Sequence, residues 1–398
     1  MSVSEFPSIG LYLHIPFCRT KCHYCDFNAY AGIGHLRESY AAALEREIAL
    51  LAERHPGVES GTLFFGGGTP SLMPPELIGR LIERCRERLG LRADAEVTLE
   101  ANPRTIDLDG LCGLRAAGVN RVSFGVQSLE PEGLRALGRD HSAEDAIVAY
   151  EQALAAGIDN VNLDFIYGWP GQTRADWERD LDRMTALRPA HLSLYALTVE
   201  SGTPLARLVG AGKVSVGDDD LMADLYERAE LRLAAAGYRH YEISNWARFP
   251  LPGPTPPGAG GGGEAALVCE HNLYYWRRDN YLGLGAGAHS LWGRRRYSNV
   301  LAPAEYVRRL ETGADPVVMS EELDDEDVVF ETAMLGLRLD TGLDCEEYVA
   351  RFGELAAAAL DILRGAASDG LVSFEGNVAT LTPRGRLLAN EVFVRLLG

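Results

Sequence analysis

Cys18, Cys22 and Cys25 fall within eight residues of one another, spaced Cys-x3-Cys-x2-Cys. Three thiolates on one tight loop can each hold one iron of a four-iron cluster, which leaves the fourth iron open to an exchangeable small molecule. Zinc also takes three thiolates and an imidazole, and His14 or His23 would complete such a site. The trio alone leaves both chemistries open. A second group stands far along the chain, where Cys269 is followed by His271-Asn272-Leu273-Tyr274-Tyr275-Trp276. Imidazole and thiolate are both ligands of heme iron, and Tyr275 and Trp276 offer flat apolar surface to a macrocycle. The same residues also read as a packed aromatic cluster around a hydrogen-bonded histidine.

The elements that must position these groups alternate in type. Apolar runs at Leu11–Ile15, Thr62–Phe65, Glu96–Glu100, Arg121–Gly125, Val161–Tyr167 and His191–Leu197 read as strands. Helical patterns follow them at Glu38–Arg54, from Pro74-Pro75 onward, and at Leu108–Ala117, Ala143–Ala156, Arg174–Leu187 and Asp219–Ala236. Strands alternating with helices imply an α/β fold with a parallel sheet and right-handed crossovers. Six such units suit an incomplete (β/α)6 barrel. The cysteine loop follows the first strand, and polar or glycine residues follow or end the others: Gly66–Gly68, Glu100, Gln127, Asp164 and Thr198. Ligand-binding residues of barrels gather at those strand ends. Glycines there let backbone approach an ammonium or carboxylate closely, and Glu100 or Asp164 would take ribose hydroxyls or an ammonium.

The division expected is a barrel over 1–240, a connecting segment over 241–319 and a C-terminal module over 320–398. The connecting segment begins with a Pro/Gly stretch, Pro250 to Gly263, that reads as a surface loop. The last part, a smaller α/β extension, carries helices near Asp327–Leu337 and Glu354–Arg364. A hairpin follows, Leu371–Phe374 with Val378–Leu381, and then one amphipathic helix through Leu388, Val392, Phe393 and Leu396. That order is winged-helix-like. Such modules often bind DNA, but from Ser320 onward 16 Asp/Glu stand against 6 Arg and no Lys, the wrong balance for a phosphate backbone.

The whole chain points the same way. Its 398 residues carry a formal charge of −19, which disfavours nucleic acid and anionic lipid as partners. No apolar run approaches the roughly 18–20 residues of a membrane span, and Met1–Gly10 lacks the pattern of a secretory signal. A cytoplasmic location is expected, in which seven cysteines read as metal or redox chemistry before disulfides. Cys85 and Cys112 read as core or semi-buried thiols, and His141 and His240 as structural histidines.

Several stretches carry a family resemblance. They are Tyr12–Cys18 (YLHIPFC), the cysteine loop with Tyr24, Gly66–Ser71 (GGGTPS), Ser123–Ser128 (SFGVQS) and Gly168–Thr173 (GWPGQT). Together they resemble the radical S-adenosylmethionine (SAM) superfamily, in particular its oxygen-independent coproporphyrinogen oxidase branch. The resemblance implies a radical-SAM barrel in which Cys18, Cys22 and Cys25 hold a [4Fe-4S] cluster and SAM chelates the open iron. It assigns SAM contacts to Tyr12, Tyr24, Gly67, Gly68, Thr69, Glu100, Gln127, Arg139 and Asp164. The oxidases of this kind have a fourth cysteine two residues after the third, where this chain has Phe27, and a longer N-terminal arm. His271–Trp276 instead matches the HNxxYW signature of the family's HemW-type heme chaperones. That resemblance implies heme binding through Cys269, His271, Asn272, Tyr275 and Trp276, and delivery to an acceptor protein, a membrane-bound client included. It assigns no catalytic residue. The alternative is the oxidase: an electron from the cluster, SAM cleavage to a 5′-deoxyadenosyl radical, and hydrogen abstraction from a propionate.

Overall fold

The computed structural model describes residues 8–248 and 267–397, so the stretch Pro250–Gly263 lies outside the described residues. The six expected βα units are all present. In chain order they are β1 (Ile9–Ile15), α1 (Arg37–Arg54), β2 (Ser60–Gly67), α2 (Pro75–Leu89), β3 (Leu91–Ala101), α3 (Leu108–Ala117) and β4 (Arg121–Gln127). Then come α4 (Pro131–Leu137), α5 (Ala143–Ala155), β5 (Asn160–Tyr167), α6 (Arg174–Leu187), β6 (His191–Ala196), α7 (Pro204–Gly210) and α8 (Asp219–Ala235). The strands are buried on both faces, as parallel strands between helices must be. Ser142 with Asp145 and Thr173 with Asp176 form capping boxes that start α5 and α6.

The sheet is wider than six strands. The chain continues through β7 (Tyr238–Glu242), β8 (Asn245–Arg248), α9 (Glu270–Trp276), β9 (Tyr281–Leu284), β10 (His289–Trp292), β11 (Arg295–Asn299), α10 (Pro303–Glu311) and β12 (Val317–Glu322). Among the described residues the order is β12-β11-β10-β9-β1-β2-β3-β4-β5-β6-β8-β7, twelve strands in all. β9 runs parallel to β1, and β10, β11 and β12 continue antiparallel beyond it, while β8 and β7 extend the other edge. The 281–322 strands are short and rich in Arg, Gly and Ser, so they carry little of the apolar signal that marks buried strands.

A buried carboxylate fastens this extension to the barrel. Glu47 of α1 accepts from the Gly285 N–H (2.8 Å), the Tyr306 hydroxyl (2.5 Å) and the Asn299 amide (2.6 Å). Burial pushes its pKa up to about 7, against the lowering effect of those three donors.

The C-terminal module has its own core. It contains α11 (Asp325–Gly336), β13 (Leu343–Asp344), α12 (Cys345–Phe352), α13 (Glu354–Ser368), β14 (Val372–Glu375), β15 (Val378–Leu381), α14 (Pro383–Leu387) and α15 (Ala389–Leu397). Its core gathers Val329, Leu360, Leu363, Leu381, Val392 and Phe393. The single terminal helix expected is two. Thr382 caps α14, Leu388 leaves helical geometry, and its side chain is 40% exposed instead of buried with Val392, Phe393 and Leu396. Cys112 also departs from expectation, facing solvent on α3, whereas Cys85 is buried.

Glu47→Ala should cost about 2–4 kcal/mol of unfolding free energy, because it leaves three buried donors without an acceptor. From about pH 4.5 to 7 the unfolded chain ionises Glu47 while the folded protein keeps the proton, so this residue's contribution falls as pH rises and levels off above that window. Urea titrations of wild type and Glu47→Gln across that range check both statements, and the variant should lack this part of the slope.

Candidate functional site

The cysteine loop leaves β1 at the C-terminal mouth of the barrel and lines a cavity of about 660 Å³. Cys18, Cys22 and Cys25 all face it, together with Tyr24, Gly67, Gly68, Thr69, Glu100, Gln127, Arg139 and Asp164. Eight of the nine residues assigned to SAM therefore stand around one space with the three thiols. Arg139 ties the loop to the strands, donating to Cys22 Sγ (3.2 Å), Asn102 Oδ1 (2.6 Å) and the Gly125 carbonyl (2.7 Å). Cys18 Sγ lies 3.6 Å from Thr69 Oγ1. Burial raises the pKa of the Cys18 and Cys25 thiols, and for Cys18 the Arg139 guanidinium acts in the opposite direction. Gly67 has φ +113°, and a Cβ there would meet the His14 ring at 2.4 Å. Only glycine fits, and its N–H donates to Glu100 Oε2 (3.0 Å). Gln127 ends β4 with φ +69°, a left-handed conformation stored where the strand bulges.

The donor set fits a cluster better than a zinc ion. His14 donates from Nε2 to the Asn28 carbonyl (2.9 Å) and accepts the Tyr12 hydroxyl at Nδ1 (3.1 Å), so neither nitrogen is free. His23 does not line the cavity, and its Nδ1 lies 3.4 Å from the Ala136 carbonyl. Among the described residues no three His, Cys, Asp or Glu side chains converge on a single-ion site. Thiolates that each bind a different iron need not converge on a point.

Glu100, Ser123 and Asp164 form the wall between this cavity and an inner chamber of about 560 Å³. Asp164 accepts from Ser123 (2.9 Å) and Asn162 (2.8 Å). Burial, with the Asp164 charge adding to it, pushes Glu100 up to about 8, and burial also raises Asp164. Two buried carboxylates with raised pKa values cannot both ionise unless a cation lies between or beside them. The inner chamber supplies only Arg121, which is buried with no partner for its Nε and no ion pair among the described residues.

Tyr12 lines this inner chamber, not the outer cavity, as do Cys269, His271, Asn272 and Tyr275. α9, which carries the HNxxYW residues, sits inside the N-terminal end of the barrel as its floor. Glu96 of β3 accepts from the Glu270 N–H (3.1 Å), the His271 N–H (3.2 Å) and the Cys269 thiol (3.5 Å), capping the short helix from another strand. His271 is sealed, with Nδ1 bonded to Thr62 (2.8 Å) and Nε2 to Tyr275 (2.9 Å). A side chain at Gly10 would lie 3.3 Å from its ring. Burial pulls its pKa down to about 3 and pushes the Cys269 thiol up. Trp276 parts from its neighbours. It faces the C-terminal module, where Arg338 stacks 5.3 Å from its ring centroid.

Thr198 is exposed beyond β6 and lines neither cavity; Ser193 and Tyr195 of β6 hold that place in the inner chamber. Glu96, Arg121, Ser123 and Asn162 escaped the sequence because mid-strand polar residues look like solvent-facing positions. The one available signal was that a strand buried on both faces has no solvent face. His141 Nε2 and His240 Nε2 bond backbone carbonyls at 3.0 and 3.2 Å, as structural histidines do.

A three-cysteine loop over the strand ends of an open parallel barrel, with a glycine run and buried acids behind it, defines a radical SAM protein. Residues 12–184 match the model of the radical SAM superfamily, and residues 323–388 match the HemN C-terminal domain. The fold resembles that of coproporphyrinogen III oxidase (HemN) from Escherichia coli, with TM-score 0.82 and 26% identity over 98% of this chain and 90% of that one. Heme chaperone HemW of Mycobacterium tuberculosis is 40% identical over 392 residues, which is 98% of this chain and 95% of that protein. The Bacillus subtilis heme chaperone HemW is 33% identical over 97% of this chain and 98% of its own length. The chain belongs to the HemW family of radical SAM proteins.

Arg139→Ala should remove about 1.5–3 kcal/mol of unfolding free energy, since Asn102, Gly125 and Cys22 lose a charged donor inside the site. Arg139→Lys, one point charge replacing a fork, should recover part of it. Denaturant titration under reducing conditions measures both, and equal stability of all three proteins would contradict the role given to Arg139.

Proposed function

We propose that this chain is a heme chaperone that binds heme and transfers it to an acceptor protein, with a [4Fe-4S] cluster and SAM in the outer cavity. The observation that carries the reading is near full-length similarity to proteins named heme chaperone HemW, in a chain whose His271, Asn272 and Tyr275 line a chamber sharing a wall with that cavity. Residues 1–240 would serve the cluster and SAM, 241–319 the heme motif, and 320–398 the contact with Trp276.

Cys18, Cys22 and Cys25 would hold the cluster. Tyr24, Gly67, Gly68, Thr69, Glu100, Gln127, Arg139 and Asp164 would hold SAM, with Tyr12 behind them. When bound, the cluster supplies an electron to SAM. The residues fit a cationic ligand: SAM carries an ammonium and a sulfonium, and Glu100 and Asp164 are two buried acids with no ion-pair partner among the described residues. Below about pH 8 Glu100 holds a proton in the free protein, and a cation favours its ionised form. SAM binding should therefore release a proton and tighten as pH rises between about 7 and 9. Glu100→Gln should weaken SAM roughly tenfold and flatten that pH dependence, while leaving iron content unchanged. Equilibrium dialysis at several pH values reads this out.

His271, with Cys269, Asn272, Tyr275 and Trp276, would serve the heme. A pKa near 3 keeps the imidazole neutral, the form that ligates iron, whereas burial keeps Cys269 protonated, which favours imidazole over thiolate as axial ligand. Ligation requires His271 to exchange its bond to Tyr275 or Thr62 for iron. The likeness to HemN supports the oxidase as a second reading, and one experiment separates the two. Anaerobically reconstituted protein should hold about four irons and about one heme, and should form no protoporphyrinogen from coproporphyrinogen. Cys18→Ser should abolish the visible cluster absorption, and His271→Ala should change the heme spectrum. Coproporphyrinogen turnover without heme binding would overturn the chaperone reading.

A further inference from the structure

The HNxxYW histidine cannot be where heme first meets the protein. His271 is 1% exposed, bonded at both nitrogens, and walled in by β1, β2 and α9. A flat, largely apolar ring with two carboxylates needs a different landing surface, one that pairs exposed apolar area with cations.

The rim of the outer cavity has both. Phe27 lines the cavity and is still 63% exposed, although it is a large apolar side chain in an irregular loop. Its backbone is held from the other side: the Phe27 carbonyl accepts from Lys21 Nζ (3.1 Å) and from the Ala29 N–H (2.7 Å). Tyr30 and Leu301 are 37% and 60% exposed beside it. Asn28 binds them into one surface, accepting the Tyr30 hydroxyl (2.9 Å) and donating to the Leu301 carbonyl (2.9 Å). Single exposed apolar residues are ordinary, but Phe27 and Tyr30 on the cysteine loop and Leu301 on the segment that Asn28 ties to it stand together at this rim. Lys21 lines the cavity with Phe27, and beyond it are two more exposed cations, Arg19 on the same loop and Arg104, whose carbonyl Arg19 reaches. Lys21 donates to Phe27, Arg19 to the Arg104 carbonyl (3.1 Å) and Arg104 to the Asp140 carbonyl (2.7 Å). All three donate to neutral carbonyls, and none makes an ion pair among the described residues, in a chain of net charge −19. On the loop itself Arg19 and Lys21 stand against Asp26, while Arg104 lies near Asp145.

We infer that this rim is the docking platform for heme, with the porphyrin face against Phe27 and the propionates toward Lys21, Arg19 and Arg104. The inference rests on the heme-chaperone reading and goes beyond it by separating the landing surface from the axial ligand. It also gives a physical use to phenylalanine two residues after the third cysteine, in contact with solvent and cavity at once.

The test uses the full chain with its cluster reconstituted anaerobically, titrated with ferric heme and followed by visible absorption. Phe27→Ser should weaken heme about tenfold, and Phe27→Trp should restore affinity to within about twofold, because both Phe and Trp offer a stacking face. The Arg19→Gln, Lys21→Gln double variant should weaken heme several-fold but leave heme dimethyl ester, which has no propionate charge, unchanged. Phe27 is exposed, and iron content with circular dichroism confirms that each variant is folded. Wild-type protein that binds no heme sinks the functional reading and the platform together. Tight wild-type binding left intact by Phe27→Ser and lost only in His271→Ala sinks the platform alone and places the encounter at the floor.

Discussion

Glu100 and Asp164 share the centre of a barrel from which helices and strands exclude most water. Two carboxylates in such a space cannot both ionise without a cation. Much of the interior is arranged around that constraint. The Gly67 N–H reaches Glu100 only because residue 67 has no side chain, and Ser123 and Asn162 spend their donors on Asp164. Arg121 stands below with no ion pair among the described residues, and Arg139 stands above with its two terminal nitrogens bonded to Cys22, Asn102 and Gly125. Neither guanidinium closes the pair. The protein therefore holds a space with two buried acids whose pKa values are raised, beside a loop of three thiols, where positive charge would favour their ionised forms.

That arrangement explains which parts were legible in the sequence. The six βα units could be read because each strand is a short apolar run and each helix has amphipathic spacing, and the cysteine loop could be read from its types and spacing alone. The strands of 281–322 could not: Arg295, Arg296 and Ser298 pair across an antiparallel edge, where hydrogen bonding rather than apolar burial holds the ladder. Leu388 misled for the opposite reason. It keeps helical spacing with Val392, but Thr382 and Pro383 start a separate short helix, and the break turns Leu388 outward. Of the site, the residues that face the ligand space were recognisable, whereas Glu96, Arg121 and Asn162 were not. They act on other protein groups, and a role of that kind leaves no local pattern.

Glu96 shows how far such a role reaches. It lies on β3, four residues before Glu100, so the two side chains leave the same face of the strand. Glu100 looks toward the outer cavity and inner chamber, and Glu96 holds the first N–H groups of α9. One strand thus carries both the acid that faces the outer cavity and the acid that seats the HNxxYW helix. Tyr241 adds a second tie, its hydroxyl accepting from the Cys269 N–H (3.2 Å) and bonding His191 (2.8 Å).

The charges of these groups are linked through Arg121. Its nearest opposite charges include Glu96 and Asp164, one from the floor and one from the shared wall. A cation in the outer cavity favours the ionised forms of Glu100 and Asp164, and Asp164 faces Arg121 from the wall while Glu96 caps α9 on the floor. Arg121 is thus placed between the shared wall and the helix that carries His271. Because Glu100, Ser123 and Asp164 line both the outer cavity and the inner chamber, the charge on those two acids bears on both spaces at once.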